Sequence, residues 1–384
     1  MIFIIIVSSL ITFLLLIDIY HKYKPASKLK LIPSNYNLKS SNNGFEIECF
    51  LKIINFSKDK ETMISNFNME LDLFDKNNLV DFNYQTTIII YNTAREKEIR
   101  NYWPTIILKA REILKLKILI KANKNVFESN KSLWLKFQWE NYGHFGIKQK
   151  RNYFLISNHK YYINKRMLVD INLNNSYKAL AIKTSLLGAF DDPVKTICSY
   201  CEGITLANDI LIIGETPLAI MQGRYKVPHE LEYGFLSKIL CYFFHPTSSL
   251  ATACGMQLLI NKVGVTRITL SLLVGMLFKL IRIKGVFYRL AGNQSSLIDD
   301  ISGTTIPYDK TIVLGPNNAE MICKQISEIL KINVAVVDVN DLGKVKILAS
   351  TNKSINSILN KALKNNPAGN DDQKTPIVLI REKT

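Results

Sequence analysis

The sequence predicts three parts: an N-terminal transmembrane helix, an all-β sandwich, and a C-terminal domain of the α+β or α/β class. The first 17 residues are almost wholly apolar. Apolar and polar residues alternate repeatedly between Phe45 and Trp139, as in strands with one buried face. Beyond Tyr177, unbroken aliphatic runs alternate with helix-length segments, which is typical of a sheet covered on both faces. We therefore expect an anchor at 1–20, a linker at 21–43, the sandwich at 44–157 and the last domain at 158–384.

The anchor prediction depends on length and on flanking charge. Met1 to Tyr20 just reaches the length that crosses a bilayer core. No Lys or Arg precedes the apolar run, so a cleaved signal peptide is not favoured. His21 to Lys24 places positive charge after the run, and this predicts a single-pass protein whose domains face the cytoplasm. A misassigned start or a buried helix is the alternative.

The charge and cysteine patterns argue against a nucleic-acid partner and against a zinc site. The formal net charge is +17, yet the lysines are dispersed along the chain, so we expect no nucleic-acid partner. Pro25 to Asn43 is polar and is interpreted as a tether. Cys198 and Cys201 form half of a zinc motif at best, and two thiols on one helix are favoured over a metal site.

Five segments between residues 45 and 139 alternate with period two and predict an antiparallel sandwich. They are Phe45 to Ile53, Met69 to Leu73, Thr86 to Ile90, Leu114 to Ile120 and Leu133 to Trp139. Their spacing is typical of an immunoglobulin-like or fibronectin-like module, although the Cys-Trp-Cys hallmark is absent. Trp139 is predicted to be a core ring and His144 a surface ring. The domain is interpreted as a structural or docking module.

The strand Ile210 to Ile213 is the centre of the predicted site. Its four consecutive large aliphatic residues indicate a strand buried on both faces. Asp209 precedes it, and Glu215 and Thr216 follow it, before a helix that we expect to begin at Pro217. Gly223 and Arg224 close the segment, so polar groups and a fixed positive charge collect near one end of the strand.

Further chemistry is predicted at the ends of later elements. We expect a buried helix at Ile268 to Phe278, a strand at Gly285 to Ser296 that ends in a polar loop, and a helix at Ala319 to Leu330. Asp299 and Asp300 form a pair of carboxylates that suits a hard divalent cation. A last buried strand, Val334 to Val337, leads to Asp338, Asn340 and Asp341, and Pro376 to Ile380 is expected to close the sheet.

In this order, the segments resemble the coenzyme F-420-0:gamma-glutamyl ligase family, in the membrane-anchored form found in cyanobacteria. Asp209 to Arg224 is similar to the aspartate, strand, polar turn and Gly-Arg of that family. Gly285 to Ser296 is similar to its Ala-Gly and serine loop, and Asn340 to Gly343 to its acidic strand end. Leu314 to Pro316 and Pro376 to Arg381 complete the resemblance, which covers Tyr177 to Thr384.

The resemblance implies a GTP-dependent ligase that joins glutamate to a small carboxylate substrate, with Mg²⁺ or Mn²⁺ bound at the phosphates and a homodimer as the family habit. It implies cation ligands and phosphate-binding residues, and it assigns no catalytic residue. The implied cation ligands are Asp209, Glu215, Asp299, Asp300 and Asp341. The implied phosphate-binding residues are Gly223, Arg224, Ser295 and Ser296.

The chain departs from the family where charges are expected. Neutral residues stand at Thr216, Ile220, Gln222, Gln294, Asn317 and Asn318, and Lys344 replaces an arginine. Three functions therefore remain: a membrane-tethered ligase, an enzyme of altered chemistry with its own substrate, and a catalytically silent protein that keeps the ligase fold and serves as a binding or scaffold module.

Overall fold

The computed structural model describes residues 6–14, 16, 28–41, 44–75, 78–92, 95–99, 103–123, 131–143, 146–173, 176–299, 305–339, 345–363 and 374–383. Residues 6–14 form helix α1, whose side chains are all exposed. Residue 16 is also helical and exposed, and the other residues of the expected anchor lie outside the described residues, as does His144. No single helix in the described part of the chain is both long and apolar enough to cross a bilayer.

The N-terminal domain is a sandwich of two antiparallel sheets, which confirms the predicted architecture. One sheet has the order β1-β2-β8-β5-β6 and the other the order β10-β9-β3-β4, with β7 paired to β3. Its strands are β1 (Leu29–Ser41), β2 (Gly44–Asn55), β3 (Thr62–Asp75), β4 (Asn78–Val80), β5 (Tyr84–Asn92), β6 (Arg95–Ile99), β7 (Ile106–Leu108), β8 (Ile113–Asn123), β9 (Lys131–Gly143) and β10 (Gly146–Ser157).

The sandwich core is formed by the inward-facing residues of the alternating strands. Ile47 and Leu51 on β2 and Leu116 on β8 are fully buried. Trp139 on β9 is 1% exposed, which confirms it as a core ring, and its Nε1 donates a hydrogen bond to Asn152 Oδ1 at 3.0 Å. Because one face of each sheet is buried, the period-two pattern fixes which residues face inward.

The expected linker is wrong over most of its length, because residues 29–41 form the edge strand β1, paired with β2. Leu29 and Leu31 are buried on the inner face. A register shift between Pro33 and Asn35 then changes which residues face the core, and Tyr36 and Leu38 pack against it instead. This bulge breaks the alternation, and the segment therefore looks irregular in the sequence.

The C-terminal domain is built on a six-stranded mixed sheet of order β11-β12-β18-β13-β16-β17, beside a two-stranded sheet of β14 and β15. Its strands are β11 (Leu168–Asn172), β12 (Tyr177–Ile182), β13 (Ile210–Gly214), β14 (Tyr225–Lys226), β15 (Ile312–Val313), β16 (Asn333–Val339), β17 (Val345–Ser350) and β18 (Ile377–Glu382). Its helices are α2 (His159–Lys165), α3 (Pro193–Cys201), α4 (Glu215–Met221), α5 (Phe235–Leu240), α6 (Ala253–Val263), α7 (Val265–Leu280), α8 (Val286–Ala291), α9 (Ala319–Leu330) and α10 (Asn356–Ala362).

Both faces of the six-stranded sheet are buried, which explains the unbroken aliphatic runs in its sequence. Leu211 on β13 and Val336 on β16 pack beneath α3, α4 and α9. Ile212 and Ala335 on the opposite face pack against α10. Only the β13–β16 pair is parallel among the described strands, so the carboxyl ends of these two central strands lie at the same edge.

Three expectations for single elements are wrong. The segment Gly285 to Ser296 is not a strand, since Val286–Ala291 is helix α8 and Asn293–Ser296 is a 3₁₀ turn. Helix α4 begins at Glu215, two residues before Pro217. Helix α7 is longer than expected and is buried on one side only. Proline is tolerated in the first turn of a helix, so Pro217 marks the start only approximately.

The two domains meet in an apolar joint. The ring of Trp134, on β9, lies 5.3 Å from that of Tyr308 and 6.3 Å from that of Tyr225. The Tyr225 hydroxyl donates a hydrogen bond to the Tyr153 carbonyl oxygen at 2.7 Å. Ile220 on α4 belongs to the same cluster. Burial of this aromatic surface fixes the sandwich against the C-terminal domain.

Candidate functional site

The parallel pairing of β13 and β16 places acidic groups side by side at the carboxyl edge of the sheet. Gly214 is paired with Val337, so Glu215 and Asp338 follow as the next residues of adjacent strands. Asp338 is in turn paired with Lys346 across β16 and β17. Backbone register alone therefore brings two carboxyl groups and one ammonium group to one edge.

Glu215 is the most perturbed group of this cluster. Its residue is 6% exposed, and its Oε2 atom is buried without a hydrogen-bond partner. Burial, with further contributions from Asp338 and Asp299, raises the pKa of Glu215 to about 8. A buried carboxyl oxygen without a partner is costly, and perturbed acids of this kind concentrate at functional sites.

Asp299 lies at the same edge, in contact with Thr216, the residue after Glu215. Its backbone forms an isolated bridge with Val313, whose amide donates to the Asp299 carbonyl oxygen at 2.8 Å. The Thr216 hydroxyl donates to Asp299 Oδ2 at 3.1 Å. Loss of water around the group and the nearby Asp338 raise the pKa of Asp299, although its residue remains exposed at the rim.

Lys346 is the cation that faces this acidic cluster. Its Nζ donates to the Ser296 hydroxyl oxygen at 2.9 Å. Its charge lowers the pKa values of Glu215, Asp299 and Asp338, against the larger rise that burial causes in each. The site thus combines three acids with one ammonium group, which leaves an anionic excess when all of them are ionised.

Arg224 lies near this cluster but its guanidinium is already engaged. It follows Gly223, whose φ of +65° is a left-handed conformation that glycine adopts without strain. Arg224 Nε donates to the Gly315 carbonyl oxygen. Its Nη2 donates to Gln294 Oε1 at 2.9 Å. An anionic ligand at Arg224 would therefore have to use the remaining donors or displace Gln294.

The neutral replacements take part in internal contacts. Ile220 is 9% exposed within the interdomain cluster, where an ammonium group would be buried among rings. Gln222 and Asn317 form two reciprocal bonds: Gln222 Nε2 donates to the Asn317 carbonyl oxygen at 2.8 Å, and the Asn317 amide donates to Gln222 Oε1 at 2.7 Å. The Gln222 side chain thus fixes the backbone of the loop before α9 and has little capacity left for a ligand.

Asp209 does not join the other predicted cation ligands, because it lies at the amino end of β13. Five strand residues separate it from Glu215, which at the usual rise corresponds to about 20 Å. Its carboxylate accepts from Arg381 Nε at 2.9 Å and Nη2 at 2.7 Å, and from the Leu206 amide at 2.8 Å. This bidentate pair uses both carboxylate oxygens.

The remaining predicted residues are distributed as follows. Ser296 is at the site, whereas the buried Ser295 donates its hydroxyl to the carbonyl oxygen of Gly292 at 2.6 Å and thus points into the turn after α8. Asp300 and Asp341 lie outside the described residues. Within the described ranges, no three His, Cys, Asp or Glu side chains converge closely enough to hold a metal ion.

The donor chemistry nevertheless fits a hard cation. Glu215 and Asp338 follow paired residues of neighbouring strands and offer carboxylate oxygens there, and Glu215 Oε2 lacks a hydrogen-bond partner. Oxygen ligands of this type are those that Mg²⁺ and Mn²⁺ take in proteins. Asp338 could be identified in the sequence as an acid at a strand end. Lys346 could not, because lysines are common in this chain and only the strand register shows that Lys346 lies opposite Asp338.

Fold and site together define a class of protein: an immunoglobulin-like sandwich joined to a mixed α/β domain with acids at its central strand ends. Residues 30–160 match the family model described as F420-0:gamma-glutamyl ligase, N-terminal Ig-like domain. This match confirms the immunoglobulin-like prediction and supports the ligase family, although it falls on the part of the chain that the resemblance, carried by Tyr177 to Thr384, did not cover. The match ends before the site residues.

Comparison with solved structures adds likenesses that are confined to about a third of the chain. The GAE domain of GGA2p from Saccharomyces cerevisiae is 15% identical over 34% of this chain and 98% of that one, with a TM-score of 0.20. PapD-like domain 7 of human CEP192 is 12% identical over 35% and 90%, with a TM-score of 0.19. No curated protein matches. Similarity this low carries no functional inference.

Proposed function

We propose that the protein is a metal- and GTP-dependent ligase of the gamma-glutamyl type, which forms an amide bond between glutamate and a small carboxylate substrate. The observation that supports this most is the buried Glu215 carboxyl group, with an oxygen that lacks a partner, beside Asp338 at the carboxyl edge of the parallel strands. Ligand sites of open α/β sheets lie at this edge. The matched N-terminal domain supports the same family.

In the proposed reaction, a carboxylate oxygen of the substrate attacks the γ-phosphorus of GTP, and GDP leaves. The amine of glutamate then attacks the carbonyl carbon of the acyl phosphate, a proton leaves the nitrogen, and inorganic phosphate is released. A bound divalent cation would neutralise charge on the phosphates. Glu215 and Asp338 would hold that cation together with the phosphates, since Mg²⁺ is usually bound by one or two carboxylates and by substrate phosphates.

The chain's own cations have separate parts in this proposal. Lys346 is exposed apart from its bond to Ser296, so its ammonium group can turn toward a phosphate oxygen. Arg224 is held by Gly315 and Gln294, and it orients the loop before α9. Phosphoryl transfer relies mainly on such positioning and on stabilisation of charge.

Calorimetric titration of the full chain in a mild detergent tests the proposal directly. We expect heat from GTP only when Mg²⁺ or Mn²⁺ is present, and a loss of that cation-dependent heat in Glu215→Gln. Glu202→Gln, which changes an exposed carboxylate at the end of α3, serves as the matched control. Absence of heat at millimolar GTP and cation would exclude the ligase.

Substrate turnover is the second part of the test. Phosphate release from GTP should depend on added glutamate together with a carboxylate acceptor, and mass spectrometry of the product should show an amide lacking one water relative to the two reactants. Phosphate release without glutamate would indicate hydrolysis and would contradict the assignment as a ligase.

A catalytically silent binding protein is the second candidate, favoured by the neutral internal contacts. The Gln294 side chain accepts a hydrogen bond from Arg224, and the Gln222 side chain is hydrogen-bonded to the Asn317 backbone. Ile220 is part of the apolar joint between the domains. This second function predicts cation binding without nucleotide binding. In the calorimetric experiment it would appear as Mg²⁺-dependent heat that is unchanged by GTP.

We also propose that the N-terminal apolar segment anchors the protein in a membrane with both domains in the cytoplasm. The apolar composition of residues 1–17 and the basic residues from His21 to Lys24 support this orientation. A reporter enzyme fused after Thr384 should be active only in the cytoplasm. Activity on the opposite side of the membrane would overturn the orientation.

A further inference from the structure

The region between residues 233 and 298 combines exposed apolar side chains with a uniform sign of charge. It contains none of the chain's 32 acidic residues. Its Lys and Arg residues are Lys238, Lys262, Arg267, Lys279, Arg282, Lys284 and Arg289. A segment that carries only positive charge is attracted to an anionic surface.

Helix α7 is apolar on both sides. Its inner side carries the buried Ile268 and Leu272, and Gly275 brings it so close to α8 that an added Cβ atom would lie 3.1 Å from the Phe287 Cβ. Its outer side carries Leu273, which is 50% exposed, and Leu277, which is 63% exposed. A helix that is apolar all round is normally covered on all sides, yet the protein covers only one side of α7.

The outer apolar stripe continues beyond the helix and is bordered by positive charge. Leu280 is 81% exposed and Ile281 is 64% exposed. Lys279, Arg282 and Lys284 alternate with these residues and are themselves exposed. This arrangement, with apolar residues on one face and basic residues beside them, is that of helices that lie in the interface of an anionic membrane.

The geometry of this region does not suit a membrane span. Helix α7 has 16 residues, about 24 Å of helix, which is shorter than the hydrocarbon core of a bilayer. Its apolar length reaches that of a membrane span only together with α6, and the two helices are bent by 115°. Met256 and Leu259 on α6 are fully buried in the protein, so α6 is committed to the core.

We propose that the outer face of α7, continued by residues 281–284, lies in the headgroup region of an anionic lipid bilayer. The occupant is a lipid surface because the border of this face is wholly basic. Tyr242, which is 87% exposed, belongs to the same acid-free segment, and exposed tyrosines are typical of proteins at membrane interfaces. The inference does not depend on the ligase activity.

Tryptophan fluorescence of the full chain in lipid bilayers tests this contact. The three native tryptophans are buried, so they provide a constant background. In bilayers of phosphatidylglycerol and brominated phosphatidylcholine, the emission added by Leu277→Trp should fall by about half, because interfacial side chains lie within reach of acyl-chain quenchers. Ile329→Trp, at a 58% exposed position on α9, is the matched control and should not be quenched.

A charge reversal separates contact with anionic lipid from contact with a second copy of the chain. The variant with Arg282→Glu and Lys284→Glu should lose most of the quenching of Leu277→Trp, and bilayers without phosphatidylglycerol should give the same loss. Circular dichroism checks that the fold is kept, since these residues are exposed. Quenching that is unaffected by lipid charge would overturn the proposal. So would an unquenched Leu277→Trp together with dimerisation that Leu277→Glu abolishes, because the face would then be covered by a second copy.

Discussion

The two carboxyl groups that flank strand β13 have the same sequence signal and opposite surroundings. Asp209, at the amino end, is bound by three donors and paired with Arg381. Glu215, at the carboxyl end, has a buried oxygen without a partner and a pKa raised to about 8. Removal of one partner from a buried ion pair is costly, whereas a buried carboxyl oxygen without a partner is available to a ligand. The comparison shows that the state of the partner, rather than burial, distinguishes a structural acid from a candidate ligand.

Disruption of the ion pair between Asp209 and Arg381 should have the largest effect on stability. Asp209→Asn leaves Arg381 without its counter-charge and weakens three hydrogen bonds, so we expect the free energy of unfolding to fall by about 3–4 kcal/mol. Urea denaturation followed by circular dichroism measures it. Glu382→Gln, at the exposed neighbour of Arg381, should change stability by less than about 0.5 kcal/mol. Equal changes in the free energy of unfolding of the two variants would show that the ion pair does not contribute to stability.

The buried Glu215 carboxyl group should make the stability of the protein depend on pH. Because the pKa of Glu215 is raised to about 8 in the folded protein from an ordinary value of 4.5, the folded form retains a proton that the unfolded form has lost. Stability should therefore fall as pH rises from about 4.5 to about 8 and level off above that. Between pH 6 and pH 9 the loss should be on the order of 2–3 kcal/mol without divalent cations.

Glu215→Gln is the control for that profile. Glutamine has a similar shape and no titrating proton, so the Glu215 part of the pH dependence should vanish in the variant. Asp299 and Asp338 titrate in both proteins, and the difference between the two profiles isolates Glu215. Parallel profiles from pH 6 to pH 9 would contradict the raised pKa.

Cation binding should depend on Glu215, in contrast to the structural acid Asp209. Glu215→Gln removes an oxygen ligand, and we expect Mg²⁺ affinity at pH 8.5 to fall by about 100-fold, which corresponds to about 2.7 kcal/mol. Cation affinity in the unaltered protein should also fall as pH drops below 8, because the carboxyl group must first release its proton. Calorimetry at several pH values measures both effects. A pH-independent affinity would place the cation elsewhere.

The smallest expected effect is at Lys346. Lys346→Met removes a positive charge that faces the acids, so Mg²⁺ should bind several-fold tighter at pH 8.5, a change of about 1 kcal/mol. GTP binding should weaken in the same variant, because the ammonium group is the proposed phosphate contact. Calorimetric titration with Mg²⁺ alone, with GTP alone and with both ligands measures the change in each affinity. Weaker Mg²⁺ binding would contradict the placement of Lys346.

Sequence patterns predicted most of the fold because buried faces impose periodicity. The sandwich strands and the aliphatic strands β13 and β16 follow directly from their period and length. Strand β1 was missed because its bulge at Pro33 shifts the alternation, and α8 was mistaken for a strand because its six residues are too few to display a helical period.

The candidate site was predictable only in part. Glu215 could be selected because it follows a buried strand, and Asp299 because it belongs to a pair of carboxylates, although aspartate is common in turns. Asp209 was grouped with them because sequence does not reveal that Arg381 lies opposite it. Lys346 was missed because its meaning depends on register, which places it across from Asp338.

Helix α4 gives the sandwich a role beyond that of an attached module. Glu215 stands at its first residue, and Ile220, near its other end, packs in the joint with Trp134. The helix has seven residues, about 10 Å in length, so a single rigid segment connects the joint to the acidic edge. The sandwich therefore supports the helix that carries Glu215, and the N-terminal domain helps to set the position of that acid.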